Sequence, residues 1–148
     1  WSMPAEVMEG AAALEDSGAL DGIDAARGAS VPLSGGGHMY VEPTRALVAV
    51  DVNTGGDTSP AAGLRANLAC ARALPRALRL RGLGGQVVVD FAPMPKKDRR
   101  TVESALRGAF RTDPEETTLV GWTALGHFEL QRKRGRVALS DIRAEVPR

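Results

Sequence analysis

The residues whose types and spacing could do chemistry lie at the ends of two apolar runs. Residues 46–55 read ALVAVDVNTG, so Asp51 and Asn53 follow an alternating apolar stretch and precede a glycine turn. Residues 86–91 read QVVVDF and repeat the design with Asp90. Two carboxylates brought close together need a cation between them, and Mg²⁺ prefers oxygen ligands. The pattern therefore predicts a magnesium site whose ligands are Asp51 and Asp90.

A strand, a helix and a second strand must bring these acids together. In the first strand, a period of two places Asp51 and Asn53 on the same face. The helix is predicted to begin at Pro60, with Ser59 as its cap, and to be kinked or interrupted at Pro75. Because such crossovers join parallel strands, we expect the carboxyl ends of the two strands to share one edge of the sheet.

The periodicity of the remaining chain predicts a mixture of helices and strands. In the first third of the chain, the pattern predicts a helix within residues 1–20 that is broken at Ser17 and Gly18, and then a loop over 22–37. A hairpin follows, in which strand 39–41 pairs with strand 46–53 across a turn at 42–44. Further along, the pattern predicts a basic loop over 93–100 leading into a helix, a strand over 117–122 and a short helical segment over 128–134. We therefore expect an α/β fold, a mixed sheet with flanking helices. The expected divisions are a helical and loop extension (1–30), a catalytic subdomain (31–140) and a tail (141–148).

The composition is that of an ordinary soluble globular protein. The chain has 148 residues, of which 43% are hydrophobic and 25% charged, which is economically one domain. No apolar run approaches the roughly 20 residues of a membrane span, and the N-terminus lacks the pattern of a signal peptide, so a cytoplasmic location is expected. The single Cys70 excludes a disulfide framework or a multi-cysteine zinc site within this chain.

The net charge of +1 conceals an asymmetry along the chain. Residues 1–30 carry six acids against Arg27 alone, whereas residues 94–148 carry twelve Lys or Arg against eight acids. A basic C-terminal portion suits a polyanionic partner, although charge alone does not identify nucleic acid.

Four stretches of the chain resemble the ribonuclease E/G family, in the part of its catalytic region that has a DNase I-like fold. They read SGGGHMYVEPTRALVAVDVNTG (34–55), NL (67–68), LRLRGLGGQVVVDF (78–91) and GWTALGHFELQR (121–132). Each motif alone is modest, but four in the right order are specific. The resemblance implies that the mixed sheet and its helices are the DNase I-like subdomain of this family.

The resemblance further implies a magnesium-dependent endoribonuclease that cuts single-stranded RNA and leaves a 5′-phosphate and a 3′-hydroxyl. The two metal-binding aspartates of the family and its assisting asparagine fall on Asp51, Asp90 and Asn53, and Mn²⁺ is expected to substitute for Mg²⁺. The basic residues expected to contact the RNA are Lys96, Lys97, Arg99, Arg100 and Arg132. Larger relatives also have RNA-binding domains, so we expect a reduced or excised catalytic core, completed by such domains or as a homo-oligomer.

Two departures from the family pattern keep other interpretations open. Pro93 stands where the family commonly has a second acid, and Ala124 where many members have arginine. A catalytically weakened RNA-binding module is therefore the alternative, and a metal-dependent phosphatase of small esters is a third interpretation. Asn53, before a glycine turn, is equally well explained as a turn residue. His38 and His127 are not spaced as a metal-binding pair, and neither is predicted to be a catalyst.

Overall fold

The computed structural model describes residues 7–142, which form a six-stranded mixed sheet with helices packed on one face. The strands are β1 (Ser30–Pro32), β2 (His38–Pro43), β3 (Val48–Asn53), β4 (Gly85–Asp90), β5 (Thr117–Trp122) and β6 (Phe128–Arg132). The α-helices are α1 (Ala13–Asp16), α2 (Ala19–Arg27), α3 (Ala62–Leu80) and α4 (Arg99–Arg111), and short 3₁₀ turns lie at Lys96–Asp98 and Leu139–Asp141. No helix in this part of the chain is both long and apolar enough to cross a membrane.

The sheet has the strand order β1-β2-β3-β4-β6-β5. Strands β3 and β4 are parallel and are joined by α3, as the crossover rule predicts. All other neighbours are antiparallel, including the predicted hairpin of β2 and β3, whose turn lies at residues 44–47, two residues later than expected. The predicted fold class, a mixed sheet with flanking helices, is confirmed.

One face of the sheet is buried beneath α3 and α4, and the other face is open. In β3, Val48, Val50 and Val52 are buried, whereas Asp51 between them is exposed. The same alternation occurs in β4, where Val87 is buried. Each apolar side chain removed from water stabilises the fold by ~1.5–3 kcal/mol, so this pattern determines which face meets the helices. The sidedness predicted for Asp51 and Asn53 is confirmed, and we call their side of the sheet the open face.

Helix α3 differs from its prediction at its start, and its proline does not interrupt it. It begins at Ala62, two residues after Pro60, and no side chain caps it; the Ser59 carbonyl instead accepts the Ala62 amide at 3.0 Å. The helix continues through Pro75 to Leu80. An interior proline costs ~3 kcal/mol, but Leu74 and Leu78 on either side are fully buried, and their burial offsets that cost.

Two predicted segments are wrong. The segment over residues 128–134 is not helical but contains β6, in which Phe128, Leu130 and Arg132 point inward and alternate with outward residues. Arginine is usually exposed, so the burial of Arg132 made this alternation of buried and exposed residues hard to recognise in the sequence. The predicted loop over residues 22–37 contains the end of α2 and all of β1. Helix α2 extends into this segment because Gly22 is tolerated inside it. The predicted break at Ser17 and Gly18 is confirmed, while residues 1–6 of the predicted N-terminal helix lie outside the described residues.

Candidate active site

Asp51 and Asp90 are direct neighbours on the open face. They are paired in register at the carboxyl ends of the parallel strands β3 and β4, and both are exposed. Neighbouring strands lie about 4.8 Å apart, so one small cation can contact two carboxylates arranged in this way. The predicted adjacency of the two acids is confirmed, because strand pairing and side-chain alternation both place them on the same face. Their role as metal ligands stays a prediction.

Asn53 lies two residues after Asp51 on the same face and is half-buried. Its Nδ2 donates a hydrogen bond to Asp51 Oδ2 at 3.0 Å. This contact holds the Asp51 carboxylate toward the end of the strand and leaves the Asn53 carboxamide oxygen available as an acceptor. Asn53 is therefore more than a turn residue, since its side chain contacts one of the two candidate ligands.

His127, the residue immediately before β6, contacts Asp90 on the neighbouring strand β4. Its Nε2 lies 3.6 Å from Asp90 Oδ1, and its side chain is 36% exposed. The turn before β6 fixes its backbone, because the His127 amide donates to Thr123 Oγ1 and the His127 carbonyl accepts the Thr123 amide. Sequence reasoning set His127 aside because its spacing from His38 is not that of a metal-binding pair, and the helical prediction for residues 128–134 gave no reason to place it beside Asp90. The alternation from Phe128 to Arg132 was the signal that could have placed it.

Two ring side chains lie on the other side of the carboxylate pair. Tyr40 is the cross-strand partner of Asp51, and His38 is the partner of Asn53. The two rings meet edge to face, with centroids 5.1 Å apart, and Tyr40 is 37% exposed. An exposed aromatic ring is a surface on which a nucleic-acid base can stack. The spacing of these residues in the sequence gave no indication of this, because it depends on the register of β2 against β3.

Asn67 on α3 fixes the chain just beyond Asp90. It is fully buried, and its carboxamide exchanges two hydrogen bonds of 2.9 Å with the backbone N–H and C=O of Ala92. Close by, a Cβ atom added at Gly63 would lie 2.0 Å from the carbonyl oxygen of Pro93, so glycine is required there for the loop to pack against the helix. These contacts determine where β4 ends, and therefore where Asp90 is presented.

A separate acid, Asp57, fixes the loop between Asn53 and α3. Asp57 accepts hydrogen bonds from Ser59 and Arg65, and these bonds lower the pKa of Asp57 to about 2. Asp57 is thus engaged in shaping the loop before α3. Cys70 is buried on α3, where desolvation raises the pKa of its thiol to about 12, as expected for a small buried apolar residue.

The predicted RNA-contacting residues divide into three groups. Lys96, Lys97 and Arg100 are exposed after the end of β4, so they are available to a polyanion. Arg99 begins α4 and stacks over the Trp122 ring, 4.7 Å from its centroid. The expectation that Arg132 contacts RNA is corrected. Arg132 is 2% exposed, and its guanidinium donates hydrogen bonds to Asp113 at 3.1 Å and to Thr117 at 3.0 Å. It neutralises a buried acid and cannot contact RNA in this structure.

The donor atoms at the site are oxygens of two carboxylates and one carboxamide. Among residues 7–142, no group of three or more His, Cys, Asp or Glu side chains is arranged to hold a metal ion. Mg²⁺ is commonly held by one or two carboxylates and keeps several of its waters, so the oxygen pair is compatible with that ion.

The fold and the site together describe an α/β domain that presents two aligned carboxylates at the carboxyl end of a parallel strand pair. Residues 6–135 match the sequence profile of the Ribonuclease E/G family, and the chain belongs to that family. The resemblance read from the four motifs is thereby confirmed.

Among similar proteins, Ribonuclease G of Escherichia coli (strain K12) is 36% identical over 121 residues, which cover 76% of this chain and 24% of that protein. Ribonuclease E of Haemophilus influenzae is 38% identical over 118 residues, covering 76% of this chain and 12% of that protein. The chloroplastic Ribonuclease E/G-like protein of Arabidopsis thaliana is 37% identical over 122 residues, covering 78% of this chain and 12% of that protein. The chain thus spans about a quarter or less of the length of these relatives.

Proposed function

We propose that this chain is the catalytic part of a magnesium-dependent endoribonuclease that hydrolyses single-stranded RNA and leaves a 5′-phosphate and a 3′-hydroxyl. The observation that carries the proposal is the alignment of Asp51 with Asp90 on the open face. Membership of the ribonuclease E/G family supports RNA as the substrate. Among the ion pairs of the described residues, Asp51 takes part in none and Asp90 meets only His127, so their charge is available for a cation.

In this proposal each side chain has a separate task. Asp51 and Asp90 hold the divalent ion, which when bound polarises a phosphoryl oxygen and lowers the pKa of a water molecule. Asn53 orients the Asp51 carboxylate through its 3.0 Å hydrogen bond. His127 flanks Asp90 on the side away from Asp51 and restricts the directions in which that carboxylate can turn. Exposed Lys96 supplies charge for the RNA backbone.

The test measures cleavage of a 5′-monophosphorylated, AU-rich oligonucleotide by the full chain with and without Mg²⁺. We expect Asp51→Asn and Asp90→Asn each to lower the rate about 1000-fold, because several kcal/mol of transition-state stabilisation depends on the ion. Both side chains are exposed, so the thermal unfolding midpoint should change little. Glu42→Gln, which removes an exposed acid from β2, is the matched control and should retain activity.

Two results would contradict the endoribonuclease proposal. One is cleavage that continues after chelation of divalent ions, and the other is equal activity of Asp51→Asn and Glu42→Gln. Manganese titration followed by electron paramagnetic resonance provides an independent measurement, since the bound fraction should fall in either Asp→Asn variant.

The second candidate function is an RNA-binding module that does not cut. It is favoured by Pro93, which stands where the family commonly has a second acid, and by Ala124, which stands where many members have arginine. Retained oligonucleotide binding with no product in Mg²⁺ or Mn²⁺ would support this module and exclude the enzyme.

A further inference from the structure

A groove runs between α3 and α4 on the outer side of the helix layer, opposite the sheet. Its volume is about 850 Å³. The floor is made of small residues, Pro75 from α3 with Ala105, Gly108 and Ala109 from α4. A Cβ atom added at Gly108 would meet nothing within 4 Å, which shows that open space lies above the floor.

The wall that α3 contributes to this groove is cationic. Arg72, Arg76 and Arg79 lie four and three residues apart, so they form one stripe about 10 Å long on the helix surface. Arg72 and Arg76 are exposed, and neither takes part in an ion pair among the described residues. Two arginines are therefore available to a ligand in the groove.

The acid that lines the groove does not cancel this charge. Asp113 has no exposed side-chain surface, and its two carboxylate oxygens are bound by Arg79 at 2.7 Å and by Arg132 at 3.1 Å. Two guanidinium groups on one carboxylate leave the cluster with a net positive charge. The groove thus combines unpaired arginines with a floor that carries no acid, which is complementary to a chain of phosphates.

We propose that this groove binds the phosphate backbone of a single-stranded RNA segment other than the one at the carboxylate pair. The proposal rests on the proposed function in taking RNA as the ligand. Asp51 and Asp90 lie on the open face, whereas the groove lies beyond the helices that cover the opposite face. The segment in the groove is consequently a flanking part of the strand, and its contacts raise affinity without reading the bases.

The strength of these contacts can be worked out from counterion release. For single-stranded nucleic acid, each neutralised phosphate contributes about 0.7 to the slope of log K against log salt. Loss of the contacts of Arg72 and Arg76 should therefore reduce the slope by about 1.4. Taking the contacts to contribute nothing at 1 M salt, this slope corresponds to a loss of affinity of about 25-fold at 0.1 M salt and about fivefold at 0.3 M salt.

The experiment measures binding of a fluorescent 20-nucleotide single-stranded RNA to the full chain, by anisotropy at several salt concentrations without divalent ions. The test variant is Arg72→Gln with Arg76→Gln. Its matched control is Arg45→Gln with Arg134→Gln, which removes the same charge from two exposed arginines that lie outside the groove and take part in no ion pair among the described residues. A second test leaves the charge unchanged: Gly108→Met places a long side chain over the floor of the groove, and Gly108→Ala is its control.

The proposal predicts weaker binding and a smaller salt slope for the double arginine variant, weaker binding for Gly108→Met, and near-normal binding for both controls. Equal losses in the two arginine pairs would indicate general attraction by net charge and would overturn it. Unchanged RNA binding by the groove variants would also overturn the proposal. If these variants bind RNA normally but lose affinity for poly-glutamate, the partner of the groove is an acidic protein.

Failure of the proposed function can be told apart from failure of this inference. Cleavage in Mg²⁺ is measured on the unaltered chain beside the binding series. If the unaltered chain cuts no RNA but its binding still depends on Arg72 and Arg76, only the proposed function fails; if it cuts RNA but the groove variants bind normally, only the groove inference fails.

Discussion

Replacing Asn67 by leucine tests whether α3 determines the position of Asp90. The Asn67 carboxamide is fully buried and makes both hydrogen bonds of the Ala92 backbone, each 2.9 Å long. Leucine has the same number of side-chain heavy atoms and the same branching as asparagine, so the change leaves the Ala92 N–H and C=O unpaired without opening a cavity. An unpaired buried polar group costs about 1–3 kcal/mol. We therefore expect the free energy of unfolding to fall by about 2–6 kcal/mol.

Urea denaturation followed by circular dichroism measures this loss. Leu74→Ala is the matched control, because Leu74 is a fully buried residue of the same helix and its truncation costs about 2–5 kcal/mol through a cavity. Ala92 follows Asp90 by two residues, so Asn67→Leu should also weaken manganese binding under conditions in which the variant is folded. Leu74→Ala should leave manganese binding unchanged.

Two results would refute this reasoning. A loss below about 1 kcal/mol would mean that the Ala92 backbone finds other partners. Manganese binding equal in Asn67→Leu and Leu74→Ala would mean that the end of β4 is positioned by contacts other than those of Asn67.

Three further predictions concern other parts of the chain. Tyr40→Ala should raise the KM for RNA and leave kcat little changed, because stacking of a base on its exposed ring contributes about 1–3 kcal/mol; an unchanged KM would contradict it. Gly108→Ala should stabilise the chain by about 0.5–1 kcal/mol in urea denaturation, since alanine favours the helix and the space is open; destabilisation would reveal a hidden clash. Burial raises the pKa of Cys70 from 9.0 to about 12 in the folded chain, so its contribution to stability is complete below pH 9 and is lost as pH rises toward 12. Iodoacetamide at pH 8.5 should label Cys70 in urea but not in the native chain, and native labelling would show that the thiol is accessible.

The part of the site that could be predicted depends on local pattern and chain connection. Alternation in residues 46–53 placed Asp51 and Asn53 on one face, and the strand, helix and strand order made β3 and β4 parallel. Those two rules were sufficient to align Asp51 with Asp90. Proline and capping rules were less successful for α3, because tertiary burial of its apolar face outweighs local preferences at its start and at Pro75.

The sequence by itself determined which residues of each strand face the helices, because side-chain period and hydrophobicity are local properties. Beyond the β2–β3 hairpin and the parallel β3–β4 pair, which were predicted, the tertiary structure alone decided which strands became neighbours. Insertion of β6 between β4 and β5 brought His127 to Asp90 and buried Arg132 against Asp113, and the register of β2 placed Tyr40 beside Asp51. Strand pairing depends on contacts between residues far apart in the chain, whose free energies no local pattern records.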